Sequence, residues 1–139
     1  MFGFKKNITT ISDIQNLIIK NGQTSAGEII RDHAINGNLL CQKFLSGAAL
    51  QIPKEKRTSK LKKDIELFTK LAAENGDPES QFNLALFYTQ EVDPSKNTFS
   101  EQDIAFLSKA KYWHEQAASR GFAPSIRSLK NIKIALGEV

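Results

Sequence analysis

Glycine recurs at positions 37, 76 and 121, each time three residues behind an alanine (Ala34, Ala73, Ala118), and this recurrence constrains the chain more than any other feature. Shifted by 45 residues, AAENGDPESQ at 72–81 falls on AASRGFAPSI at 117–126, Phe68 falls on Trp113 and Leu84 on Leu129. Shifted back by 39, Gly76 falls on Gly37, Phe68 on Ile29, Gln81 on Gln42 and Leu84 on Leu45. Periods in this range mean stacked supersecondary units. Each unit is a helix pair that cannot bury its apolar face alone, and stacking supplies the missing cover.

The local patterns agree with helices. No segment sustains the apolar–polar alternation of a strand. Apolar residues fall instead at helical spacing: Ile11, Ile14 and Ile18; Ile29, Ile30 and Ala34; Leu45, Ala48 and Ala49; Ile65, Phe68, Leu71 and Ala72. Gln81, Leu84, Ala85 and Tyr88 follow, then Ala110, Trp113, Ala117 and Ala118, then Ile126, Leu129 and Ile132. Ser12 with Gln15, Ser25 with Glu28 and Thr98 with Glu101 have capping-box spacing. Asp77 before Pro78 suits an aspartate cap and a proline in the first turn. Asn21-Gly22, Asn36-Gly37, Asn75-Gly76 and Arg120-Gly121 supply left-handed stops.

These signals predict seven helices, near 10–20, 25–36, 39–51, 58–75, 78–90, 101–120 and 124–136. Two polar connections separate them, Ile52–Arg57 with Pro53 and Glu91–Ser100 with Pro94. The expected architecture is all-α: one 139-residue domain, a short α-solenoid of stacked antiparallel helix pairs without a sheet. A degenerate hairpin at 10–36 opens it, repeats at about 38–76 and 77–121 follow, and a helix at 124–136 caps it.

The repeated residues resemble the Sel-one-like repeat, a helical hairpin related to the tetratricopeptide repeat. That family's second helix reads Ala-x-x-Trp-Tyr-x-x-Ala-Ala-x-x-Gly. Ala110, Trp113, Ala117, Ala118 and Gly121 match it, with His114 in the Tyr place. Ala72, Ala73 and Gly76 match it again, with Phe68 in the Trp place. The family's first helix reads Gln-x-x-Leu-Gly-x-x-Tyr, and Gln81, Leu84 and Tyr88 match, with Ala85 in the Gly place. Gln42 and Leu45 match more faintly. Neither connection carries the family's usual Gly-x-Gly turn. The resemblance implies a scaffold whose consensus residues pack. Off-stripe residues of the first helices would then line a groove: Lys43, Gly47, Phe82, Leu86, Thr89, Arg127 and Asn131. Phe82 could equally pack on a neighbouring helix.

Charge narrows the partners. The net charge is +4, yet residues 76–110 carry two bases against six acids, while the flanking stretches are basic. A uniformly basic nucleic-acid binder would not be split in this way. Six basic residues crowd 54–63, without the interleaved aromatics of a single-strand platform. They read as a solvated loop or as a site for an anionic ligand. Glu91, Asp93 and Asp103 of the acidic block would suit a basic partner.

No catalytic motif appears. There is no Gly-x-Ser-x-Gly, no glycine-rich phosphate loop, and neither His33 nor His114 has metal-ligand spacing. Cys41, the single cysteine, shares its repeat position with Ser80 and Ser125 and reads as a small buried thiol. No cofactor or metal is expected. One cysteine, no 18-residue apolar run and no signal-peptide core in MFGFKKNITT point to a cytoplasmic protein with no membrane insertion. The function expected is non-catalytic binding of a peptide or protein. The alternative is a bacterial immunity or inhibitor protein that neutralises a toxin or enzyme. Behind these stand an enzyme with a fold-assembled site and an anionic-ligand binder through 54–63.

Overall fold

The computed structural model describes residues 7–93, 95 and 97–138. The MFGFKK stretch and Pro94 lie outside them. Among the described residues there are six α-helices and no strand: α1 (Ile11–Ile35), α2 (Leu39–Leu50), α3 (Ser59–Glu74), α4 (Pro78–Gln90), α5 (Glu101–Ser119) and α6 (Ala123–Ala135). A 3-10 turn, Lys54–Lys56, precedes α3. Helices pack chiefly on their neighbours in chain order, so the chain is a short all-α solenoid.

The first two expected helices run on as one element. Gly22, at φ 80° and ψ 166°, interrupts the helical path of α1, and helical turns resume behind it. Only glycine reaches that conformation cheaply, so the Asn-Gly step is a kink rather than a loop.

The other stops are as expected. Behind α3, Gly76 N–H donates to the Ala73 carbonyl at 3.0 Å and Asp77 N–H to the Ala72 carbonyl at 3.3 Å. The same pair of bonds ends α1 at Gly37 and α5 at Gly121, and a fourth set, with no Asn-Gly or Arg-Gly pair to mark it, ends α6 at Gly137. Two start signals lie two residues from their expected places. The capping boxes are Thr10 with Asp13 and Ser100 with Asp103.

The repeat is visible in hydrogen bonds. Gln42 Nε2 donates to the Ala34 carbonyl at 2.9 Å, and Gln81 Nε2 to the Ala73 carbonyl at 3.0 Å, 39 residues further on. Each acceptor is a last-turn carbonyl that also takes the N–H of the glycine stop, Gly37 or Gly76, so the glutamine fills its second lone pair. The third position is Ile126, which cannot donate.

Apolar burial runs along the whole stack. Ile14, Ile30, Ala34, Cys41 and Phe68 form one cluster. Ile65, Ala73, Leu84, Ala85, Tyr88, Leu107, Ala110 and Ile132 form the next. Cys41, Ser80 and Ser125, the three repeat equivalents, are all buried. The expected α4 stripe of Gln81, Leu84, Ala85 and Tyr88 is buried throughout. The α6 stripe is not: Ile132 is buried, but Ile126 is exposed.

Candidate partner-binding surface

Three first-type helices, α2, α4 and α6, carry the expected groove. Gly47, Leu86 and Asn131 hold one repeat position and are all exposed. Arg127 is exposed beside them. These four form the open part of the expected surface.

The remaining groove residues are engaged within the chain. Phe82 is half-buried, its ring 5.6 Å from that of His114 and 5.5 Å from that of Phe122. It is therefore part of the seam between α4, α5 and the turn into α6, the second of its two expected places, and not an open groove side chain. Thr89 Oγ1 donates back to the Ala85 carbonyl at 3.0 Å. Lys43 Nζ lies 3.4 Å from Asp77 and 3.8 Å from Glu79. Burial alone would raise the Asp77 carboxyl above its usual range. Hydrogen bonds from the Ser80 hydroxyl and backbone, with Lys43 beside them, outweigh that and hold it below.

The acidic block is likewise drawn inward. Asp103 is only 5% exposed. Its carboxylate accepts from Ser100 N–H at 3.0 Å, so it closes a helix start and offers no free acidic contact. Glu91 pairs with Lys62 at 3.4 Å. Asp93 accepts from the backbone and hydroxyl of Ser95 at 2.9 and 2.7 Å, a local turn.

The basic run supplies the other half of this pairing. Arg57 donates to the carbonyls of Ile52 and Leu50 and to Gln90 Oε1, at 2.9, 3.3 and 3.0 Å. It staples the connection between α2 and α3 to the end of α4. Lys62 holds Glu91. Of the six bases at 54–63, Lys54, Lys56, Lys60 and Lys63 remain as exposed side chains.

The two groups with most chemical potential are enclosed. His114 is 1% exposed, its Nδ1 3.1 Å from Ser125 Oγ. Burial pushes its pKa down from 6.5 to about 4, so the ring is neutral near neutral pH. Burial pushes the Cys41 thiol up from 9.0 to about 11, so the nucleophilic thiolate is suppressed. His33 sits apart, half-buried beside a cavity of about 640 Å³ between the two halves of α1. Leu17 and Ile29 supply apolar wall there, and Asp13 is held by its capping bonds. Among the described residues, no three His, Cys, Asp or Glu side chains converge in a metal-holding group. No helix among them is long and apolar enough to cross a membrane.

Geometry thus defines a class: an all-helical solenoid with buried repeat positions and an open row of side chains along its first-type helices. No protein-family model, curated protein or solved structure matches the chain.

Proposed function

We propose that this chain is a non-catalytic interaction module of Sel-one-like helical repeats. It binds a protein or peptide partner along the first-type helices. One observation carries the reading. The repeat-equivalent residues Gly47, Leu86 and Asn131 lie open on the three first-type helices α2, α4 and α6, with Arg127 beside them, while the matched consensus positions Gln81, Leu84, Ala85 and Tyr88 are buried. A row of that kind spans several turns of a bound segment, with Leu86 as its apolar contact and Arg127 as a donor for a carboxylate.

Support for the repeat type comes from the paired Gln42 and Gln81 bonds and the recurrent glycine stops. Support for a non-catalytic role comes from the enclosure of His114 and Cys41. A general base or nucleophile must reach its substrate, and neither group faces solvent.

The test is affinity capture with mass spectrometry, using the wild type beside Leu86→Glu and Arg127→Glu. The expected result is a protein retained by the wild type and lost by both variants, with circular dichroism and melting unchanged. Capture that survives both substitutions would overturn the assignment of this surface.

A further inference from the structure

We infer that the open ridge of α6, formed by Ile126, Lys130 and Ile134, docks an acidic amphipathic helix of another protein. The inference concerns a different face from the groove above and does not depend on it.

The repeat itself identifies the face. In α2, positions 42, 46 and 50 form one ridge at four-residue spacing, turned toward α3. Ser46 Oγ lies 2.6 Å from Thr69 Oγ1 of α3 across that seam. Gln42 is 2% exposed and Ser46 is buried. The equivalent ridge of α4 is Gln81, Ala85 and Thr89; Gln81 is again 2% exposed and Ala85 is buried. Gln42 and Gln81 reach back to the last turn of the preceding helix, and on α2 the middle of the ridge is closed by α3 through the Ser46–Thr69 contact. In α6 the same three positions are Ile126, Lys130 and Ile134. Ile126 is now 53% exposed, Ile134 is 55% exposed, and Lys130 is exposed between them. Among the described residues α6 packs chiefly on α5, on its other side.

Charge selects the occupant. Beside the ridge α6 holds Lys130 and Lys133 and no acidic residue, Arg127 lying on the groove face. Neither lysine forms an ion pair among the described residues. Nearby Glu138 is already held by Lys111 of α5 at 2.6 Å. A neutral helix laid on the ridge would bury the Lys130 ammonium without compensation. A carboxylate on the incoming helix offsets that desolvation. Two isoleucines eight residues apart, with a lysine between them, fit a helical ridge-in-groove contact. They are too narrow an apolar face to seat α6 in a lipid surface, which needs a broad apolar side.

The probe is a fluorescent helical peptide with leucines at four-residue spacing flanked by glutamates. Its control carries lysines in place of the glutamates. Anisotropy titration against the full chain is expected to show saturable binding of the acidic peptide alone, weakened by added salt. Lys130→Glu should reduce affinity by about tenfold or more, and Ile126→Ser with Ile134→Ser should abolish binding. Leu86→Glu should leave it unchanged, which separates this face from the groove. All these side chains are exposed, so circular dichroism should match the wild type. The inference is overturned if the acidic peptide fails to saturate, or binds the ridge variants as well as the wild type. It is also overturned if sedimentation shows a dimer that Ile126→Ser dissolves, which would give the face to a second copy. Binding to phosphatidylserine vesicles but not to the peptide would overturn it as well.

Discussion

Acid should unfold this protein earlier than its carboxylates alone would, because of one buried imidazole. His114 lies between α4 and α6, with the Phe82 ring 5.6 Å away and Ser125 Oγ 3.1 Å from Nδ1. In the unfolded chain its imidazole takes up a proton as pH falls through 6.5, whereas in the native state burial delays uptake until about 4. Between those values the unfolded state binds more protons, so stability falls as pH falls. Below about 4 both states are charged and the loss levels off. The gap is worth about 3 kcal/mol in full, of which about 2 kcal/mol is lost between roughly pH 7 and pH 5. The two carboxylates held below their usual range, Asp13 and Asp77, add their losses only as pH falls below 3.8, outside that window. Urea melts followed by circular dichroism at both pH values measure the loss directly. His114→Gln keeps a polar side chain beside Ser125 and removes the titration. Whatever its own stability, the variant should lose about 2 kcal/mol less than the wild type over the window. Two results would refute the reasoning: a wild type and variant with the same pH slope, or a His114 ring proton titrating near 6.5 by NMR.

Three further perturbations test the packing. Phe82→Ala empties the seam between α4, α5 and the turn into α6, and should lower stability by about 2 kcal/mol in denaturant melts; an unchanged melt would return Phe82 to the groove. Gly76 sits at φ 91°, so Gly76→Ala should cost about 1–2 kcal/mol from backbone strain alone, since the added carbon meets only the Arg120 guanidinium at an ordinary 3.6 Å. Cys41, buried with its thiol pushed up to about 11, should resist a thiol-reactive dye in the native state and react promptly once urea unfolds the chain; fast native labelling would contradict its burial.

How much of this was legible in the sequence depends on how far each signal reaches along the chain. Helix stops were the clearest, because a left-handed glycine behind a helix is a property of a few adjacent residues; Gly37, Gly76 and Gly121 all close helices as read. Helix starts were less clear for a local reason. Thr10 competes with Ser12, and Ser100 with Thr98, and both residue types can cap. The groove was legible only in part, because a first-type helix in a stack is covered from two sides. Its buried face is broader than a single stripe, so α4 encloses Ser80 and Phe87 as well as its consensus residues, and Phe82 is drawn half into the seam. The partners of Glu91 and Lys43 lie 29 and 34 residues away, beyond any local pattern. Ile126 carries the sharpest lesson. Its helical spacing with Leu129 and Ile132 marked it for the core, and in α2 and α4 the same repeat position is indeed buried. Periodicity identifies the face a residue occupies, but burial also requires a neighbour on that face, and among the described residues α6 has none there.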